Sequence, residues 1–171
     1  MTSPNTTYVL SDICDFVKGE KIKIPNQTSD LNIPVINNTE DIRFYTDTYN
    51  RNENTIIINI LRKCGCIQRY NTKIFLNNHF YSIHSKDPNI LNEEYLYYYL
   101  KSIQDKIYTI SEGSILRFIS LYDIKNLYIY IPSIKEQLNT INTIEENNKQ
   151  IEVLLNSIAD IRHENKNLFP E

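Results

Sequence analysis

Pro132-Ser133-Ile134-Lys135-Glu136-Gln137-Leu138-Asn139-Thr140-Ile141-Asn142-Thr143-Ile144 opens a pattern that no other part of the chain repeats. Ser133-x-x-Glu136 is a capping box: the hydroxyl takes a backbone N–H one turn ahead, and the carboxylate reaches back to the N–H of the serine. From Gln137 a heptad seam runs through Ile141, Ile144, Asn148, Ile151, Leu155, Ile158 and Arg162, in steps of four and three. Leu138, Leu154 and Ile161 widen it, and neither glycine nor proline intervenes before Pro170. The spacing predicts one helix of roughly 33 residues, about 50 Å long. A domain of this size cannot cover such a stripe along its whole length, and the chain holds no second long helix. The seam therefore calls for a helix from another chain, with Asn148 setting register and strand number. Dimerisation falls to Ile141, Ile144, Asn148, Ile151, Leu155 and Ile158. The alternative is a terminal helix packed on its own domain.

Working back from this helix, residues 1–131 read as short elements of mixed type. Ser11 is placed to cap a helix over Asp12–Lys18, with Gly19 as its left-handed stop. Glu20–Asp30 is polar and broken by Pro25, hence a loop. Leu31–Ile36 is a strand candidate in which Pro34 marks an edge or an end, and Ile42–Tyr45 is a strand or a loop. Thr55–Ile60 is β-branched and nearly continuous, so a buried strand is expected. Short strands follow at Cys64–Tyr70, Lys73–Leu76 and His79–His84, with Gly65 at a bulge or a close backbone approach. Asn92 caps a helix that begins Glu93-Glu94. Leu96, Tyr99, Leu100, Ile103 and Ile107 form its apolar stripe, and its tyrosines exceed what one buried face holds. Ser111–Ser114 is a loop, and Ile124–Ile131 alternates as a strand ending at Pro132. The expected fold is α+β, or mixed: a small globule (1–131) with a short-stranded sheet and flanking helices, then a long C-terminal coiled-coil helix (132–171).

Composition narrows the classes. The chain has 171 residues, 41% hydrophobic and 23% charged, within the globular range. It has no run of 18 or more uncharged apolar residues, so no membrane association is expected. Met1–Asn5 lacks the features of a secretory signal, and a soluble cytoplasmic protein is the expectation. The cysteines Cys14, Cys64 and Cys66 are odd in number and suit a reducing compartment. A metal site from Cys64, Cys66, His79 and His84 would lack the paired Cys-x-x-Cys spacing, so these are read as strand residues and no metal is expected. Abundant isoleucine and asparagine reflect an AT-rich coding sequence. The net charge of −3 weighs against nucleic acid. However, residues 1–131 balance at 14 Lys/Arg against 14 Asp/Glu, and the deficit lies in the arm, 4 against 7. Between positions 51 and 86, Arg51, Arg62, Lys63, Arg69, Lys73 and Lys86 face Glu53 alone.

The order of these pieces resembles a known family. Leu10–Gly19, the helix Asn92–Leu100, the loop Gly113-Ser114, and Ile131–Gln137 leading into a long helix are similar to one target-recognition domain plus one helical spacer of a type I restriction–modification specificity subunit. The resemblance covers nearly the whole chain. It implies loops and a small sheet that read base edges of duplex DNA, and a helix that spaces domains and docks modification subunits. Those partners would carry S-adenosylmethionine and methylate adenine, while this chain would be non-catalytic and hold no cofactor. Consistent with this, the sequence has no Asn-Pro-Pro-Tyr motif, glycine-rich cofactor turn or P-loop. A full specificity subunit carries two recognition domains and two helices. One of each here implies a homodimer with antiparallel helices and a gapped palindromic target.

Base readout needs Arg, Lys, Asn or Gln at exposed positions. The candidates are Lys21 and Lys23; Arg62, Lys63, Gln68, Arg69 and Lys73 around the strands; Ser85 and Lys86 after the last of them; and Ser114 and Arg117 in the loop that approaches DNA in the resembled family. Each has an alternative as a solvated surface residue. The competing function is an adaptor that keeps the helical arm and binds protein through the globule. A small independent enzyme lacks a catalytic constellation.

Overall fold

A computed structural model describes residues 6–22, 31–38, 40–61, 63–113 and 117–167, with side chains to residue 165. The fold is mixed α/β, with three small sheets, short helices and one long C-terminal helix. The elements are β1 (Thr6–Val9), α1 (Leu10–Ile13), β2 (Cys14–Lys18), β3 (Ile33–Ile36), β4 (Phe44–Thr46), β5 (Thr55–Asn59), β6 (Ile67–Tyr70), β7 (Phe75–Leu76), β8 (Phe80–Ser85), α2 (Glu93–Ser102), α3 (Gln104–Thr109), α4 (Leu121–Lys125), β9 (Tyr128–Ile131) and α5 (Ile134–Asn167). No helix among the described residues is long and apolar enough to cross a membrane.

The central sheet has the order β2-β8-β5-β6, antiparallel throughout. Its heart is β5, whose five residues are all buried. Ile56 and Ile58 face a large cluster with Leu91, Leu96, Leu100, Ile107 and Ile129. Ile57 faces a smaller cluster with Ile36, Ile74, Leu76 and Phe80. Burial on both faces is why this strand reads as an uninterrupted β-branched run. The second cluster joins it to the sheet β4-β3-β7, while β1 and β9 form a separate two-stranded ribbon.

Three expectations are corrected. The segment expected as one helix over Asp12–Lys18 is a single turn, α1, followed by strand β2. Pairing of β2 with β8, from Cys14 opposite Ser85 to Lys18 opposite Tyr81, outweighs the local helical spacing of Ile13, Phe16 and Val17. Gly19 is not left-handed; a Cβ there would lie 2.1 Å from the Asn77 carbonyl oxygen, so close backbone approach requires glycine. Pro34, by contrast, lies one residue from the start of β3 and has no partner on the β7 side, where pairing begins at Val35, in keeping with the expected edge or end. Finally, Ile124 belongs to α4, capped by the Ser120 hydroxyl, and β9 begins at Tyr128.

Cys64 and Gly65 lie in a turn ahead of β6. Gly65 has φ 78° and stands against Ile107 and Ile119, so both backbone conformation and space require it. On α2 the Asn92 side chain accepts from the N–H groups of Glu94 and Tyr95. Of its tyrosines, Tyr95 is buried, while Tyr97, Tyr98 and Tyr99 pack partly against the core. The helix breaks at Ile103, and α3 resumes with Ile107 buried. Burial beside Glu93 pushes the Cys14 thiol up to about 12, so it is a neutral core group.

The capping box of α5 forms as expected: the Ser133 N–H donates to Glu136 at 3.0 Å, and the Glu136 N–H donates to Ser133 Oγ at 3.4 Å. Only the first turns of α5 touch the globule. Gln137 is buried, and Ile141, expected in the dimer seam, packs instead into the chain's own core with Ile144 half-buried behind it, whereas Ile151, Leu154, Leu155, Ile158 and Ile161 are exposed. At ~1.5 Å per residue the arm beyond Ile144 is about 35 Å long.

Candidate nucleic-acid interface

The antiparallel register gives the central sheet two distinct ends. At one end lie Asn59 of β5, Ile67 of β6, Phe80 of β8 and Lys18 of β2; at the other lie Thr55, Tyr70, Ser85 and Cys14. Helix α2 spans the two. It begins at the second end, where Glu93 Oε1 accepts from the Ser85 N–H at 2.7 Å. It finishes at the first, where Lys101 Nζ donates to the Ile67 carbonyl at 2.9 Å.

The first end gathers loops. Leu61 bridges to Phe118, and Phe118 bridges to Glu112, so the Gly113 turn is pinned beside the end of β5. Gly113 has φ 93°, a conformation that favours glycine. Asn37, Asn38, Glu40, Asn59, Leu61, Lys63, Asn77, His79 and Phe80 line a cleft of about 470 Å³ at this end. Asn59 shapes its floor by donating to the Lys63 carbonyl and accepting from the Leu61 N–H at 3.1 Å. Exposed cations flank this end: Lys21 follows the bridge of Glu20 to Asn77, Lys63 lines the cleft, and Arg117 precedes the bridge of Phe118 to Leu61. Lys63 pairs with Glu40, which raises its pKa through a hydrogen bond and charge. That pair is solvent-exposed, hence weak. Arg117 donates to Ser111 Oγ at 3.1 Å and lies over the Tyr108 ring.

Among the described residues no three His, Cys, Asp or Glu side chains converge on a metal position.

Comparison with known proteins settles the family. The model of the type I restriction modification DNA specificity domain matches residues 3–162. The chain belongs to this family. A Mycoplasma genitalium protein named as a type I specificity subunit is 26% identical over 154 residues, 90% of this chain and 40% of its own length. A Mycoplasma pneumoniae protein named likewise is 27% identical over 133 residues, 77% of this chain and 36% of its own. The chain thus spans about two-fifths of the length of the curated relatives it matches. Among solved structures, the type I restriction–modification S subunit from M. genitalium superposes with a TM-score of 0.78 at 25% identity, covering 92% of this chain and 42% of that one. The HsdS subunit from Thermoanaerobacter tengcongensis gives 0.68 at 15% identity, covering 91% and 40%, a likeness of fold.

The other sequence candidates of this specificity-domain chain are dispersed. Arg69 is half-buried on β6, ion-paired with Glu94 and stacked on Tyr97 at 4.5 Å, beside Gln68 on the same strand. Lys73 lies at the far end of the sheet, over Tyr49 at 4.3 Å. Lys86, also there, donates to the Ser11 carbonyl at 2.7 Å, and Ser85 offers its N–H to Glu93. Lys23, Arg62 and Ser114 lie outside the described residues. The structure thus brings Lys21, Lys63 and Arg117 to one end and leaves the rest elsewhere.

Sequence reasoning passes over two polar residues that shape the molecule. Arg51 braces two strands, β2 and β8, from within the basic segment. Gln137 reads as the start of the helical seam, yet it is fully buried. A glutamine one position after a capping-box glutamate, facing the globule instead of solvent, is the signal that could have found it.

Proposed function

We propose that the chain is a non-catalytic, sequence-specific DNA-recognition subunit of a type I restriction–modification system. Residues 1–131 act as the target-recognition domain and 132–171 as the spacer and dimerisation arm. The reading is carried by one observation: the loop cluster with Lys21, Lys63, Arg117 and the Gly113 turn sits at the opposite end of α2 from the root of α5. Recognition and assembly can therefore proceed on separate surfaces. In this reading Lys21, Lys63 and Arg117 contact phosphates, and the asparagines of the cleft wall offer the paired donor and acceptor that adenine edges accept. The exposed stripe of α5 pairs with the arm of a second copy, and methyltransferase subunits that carry the donor cofactor dock on the assembly.

The test is selection from a random duplex library at stepped salt, with sequencing of the retained pool. A gapped palindrome is expected. Lys63→Ala should weaken binding across sequences and reduce the slope of log K against log salt by about 1.8 for the dimer, because each of its two copies neutralises one phosphate fewer. Complete loss of retention at physiological salt with no enriched motif, both alone and with a methyltransferase partner, would sink the reading.

A further inference from the structure

Gln137 is fully buried, although it belongs to a helix whose later residues are solvated. Its amide is used on both sides. Nε2 donates to the Ile90 carbonyl at 2.8 Å and to the Pro132 carbonyl at 2.9 Å. Oε1 accepts from the Asn92 N–H at 2.9 Å. Asn92 in turn caps α2 through Glu94 and Tyr95. One side chain therefore ties together the start of α2, the end of β9 and the first turn of α5. Beyond it, among the described residues of the arm, Ile141 is buried and Ile144 half-buried against the globule, and the rest are exposed. Apolar contacts of this kind are non-directional and let a helix roll or tilt. Three hydrogen bonds at right distances to fixed backbone atoms do not.

We infer that Gln137 is a positioning residue that sets the angle between the recognition globule and the helical arm, and through it the gap length the protein accepts in its target. The lever is long. With an arm of about 35 Å, a tilt of about 6° at the root moves the tip by about 3.4 Å, one base-pair step. A root held by packing alone would blur the gap by a step or more; the buried amide holds it to one value. The gap-length part rests on the DNA-recognition reading, whereas the angular part does not.

The test pairs two readouts in the full chain. Spin labels at Glu53 on the globule and Asn156 on the arm, in protein diluted with unlabelled chain, report the intrachain distance distribution. Library selection reports the gap. Gln137→Leu should widen the distance distribution about twofold and replace a single enriched gap by several adjacent lengths. Ser133→Ala, which removes the cap but not the tie, should lower the melting temperature and leave both readouts as in the parent. If Gln137→Leu fails to fold by circular dichroism, the near-isosteric Gln137→Glu, which forfeits both donated bonds, is scored in the same way and should widen both. An unchanged distribution with a single gap overturns the inference, even if stability falls. If the parent protein enriches no motif at all, the proposed function fails, and the distance measurement alone decides the role of Gln137.

Discussion

Arg51 and Lys63 stand twelve positions apart in the same basic segment, and nothing in their immediate sequence separates their roles. The fold does. Arg51 donates to Ser82 Oγ at 2.8 Å and to the carbonyl oxygens of Asn50 at 2.6 Å, Val17 at 3.0 Å and Lys18 at 2.8 Å. Burial lowers its pKa, as expected for a guanidinium drawn out of water. Arg51→Met strands those acceptors and should destabilise the protein by about 1–3 kcal/mol in urea melts, whereas Lys63→Ala should leave the urea midpoint alone and change only salt-dependent DNA retention. Equal urea midpoints for Arg51→Met and the parent would remove the bracing role. Glu93 offers a second test. Burial raises its pKa above the ordinary 4.5, against the opposing hydrogen bond from Ser85. A carboxyl with a raised folded pKa favours folding most below its unfolded value and loses that contribution as pH climbs through the folded one. Relative to Glu93→Gln, the parent should therefore lose stability from pH 4 to pH 7. A constant difference between the two proteins across urea melts in that range would contradict the assigned burial cost. A sequence gives residue type and neighbours. It does not say which cation will have carbonyl groups folded around it from 33 and 34 positions away.

At the level of elements, legibility follows the range of the interactions. The capping box that opens α5, the cap of α2 at Asn92 and the doubly buried β5 are written within a dozen residues each, and all three stand in the structure. The β2 strand misleads because its deciding partner, β8, lies more than sixty residues away. Ile13, Phe16 and Val17 share a helical face in isolation. Once Cys14 and Phe16 turn toward the core and Asp15, Val17 and Lys18 toward solvent, a strand fits equally well. Pro34, read locally as an edge or an end, does stand near the end of β3 with its β7 side unpaired. Where the information is local, its energy is local too. Ser133→Ala removes the hydroxyl that accepts from Glu136 and should cost about 1 kcal/mol. A thermal melt that shifted as little as one for an exposed control such as Thr143→Ala would show that the cap adds nothing beyond the tie made by Gln137.

For the whole molecule, the candidate interface is half legible. The sequence points to basic residues around the strands and to the Gly113 loop. The structure draws Lys21, Lys63 and Arg117 together and sends Lys73, Ser85 and Lys86 to the other end of the sheet, a division set by strand register. The arm is legible as needing a partner, and the structure sharpens why. Past Ile144 no described residue of the globule covers Ile151, Leu154, Leu155, Ile158 or Ile161, and each such side chain gains about 1.5–3 kcal/mol on full burial. Double substitution Leu155→Glu with Ile158→Glu places carboxylates in the seam, where pairing would have to desolvate them. The parent should sediment as a concentration-dependent dimer and the variant as a monomer with an unchanged far-ultraviolet spectrum. Because Lys21, Lys63 and Arg117 are untouched, the variant should still retain duplex at low salt but enrich single half-sites instead of gapped pairs. A variant that remained dimeric would place the self-association surface elsewhere on the chain. A parent that was monomeric at every concentration would instead assign the stripe to a different subunit, and mixing with the methyltransferase should then protect residues 145–165 from hydrogen exchange.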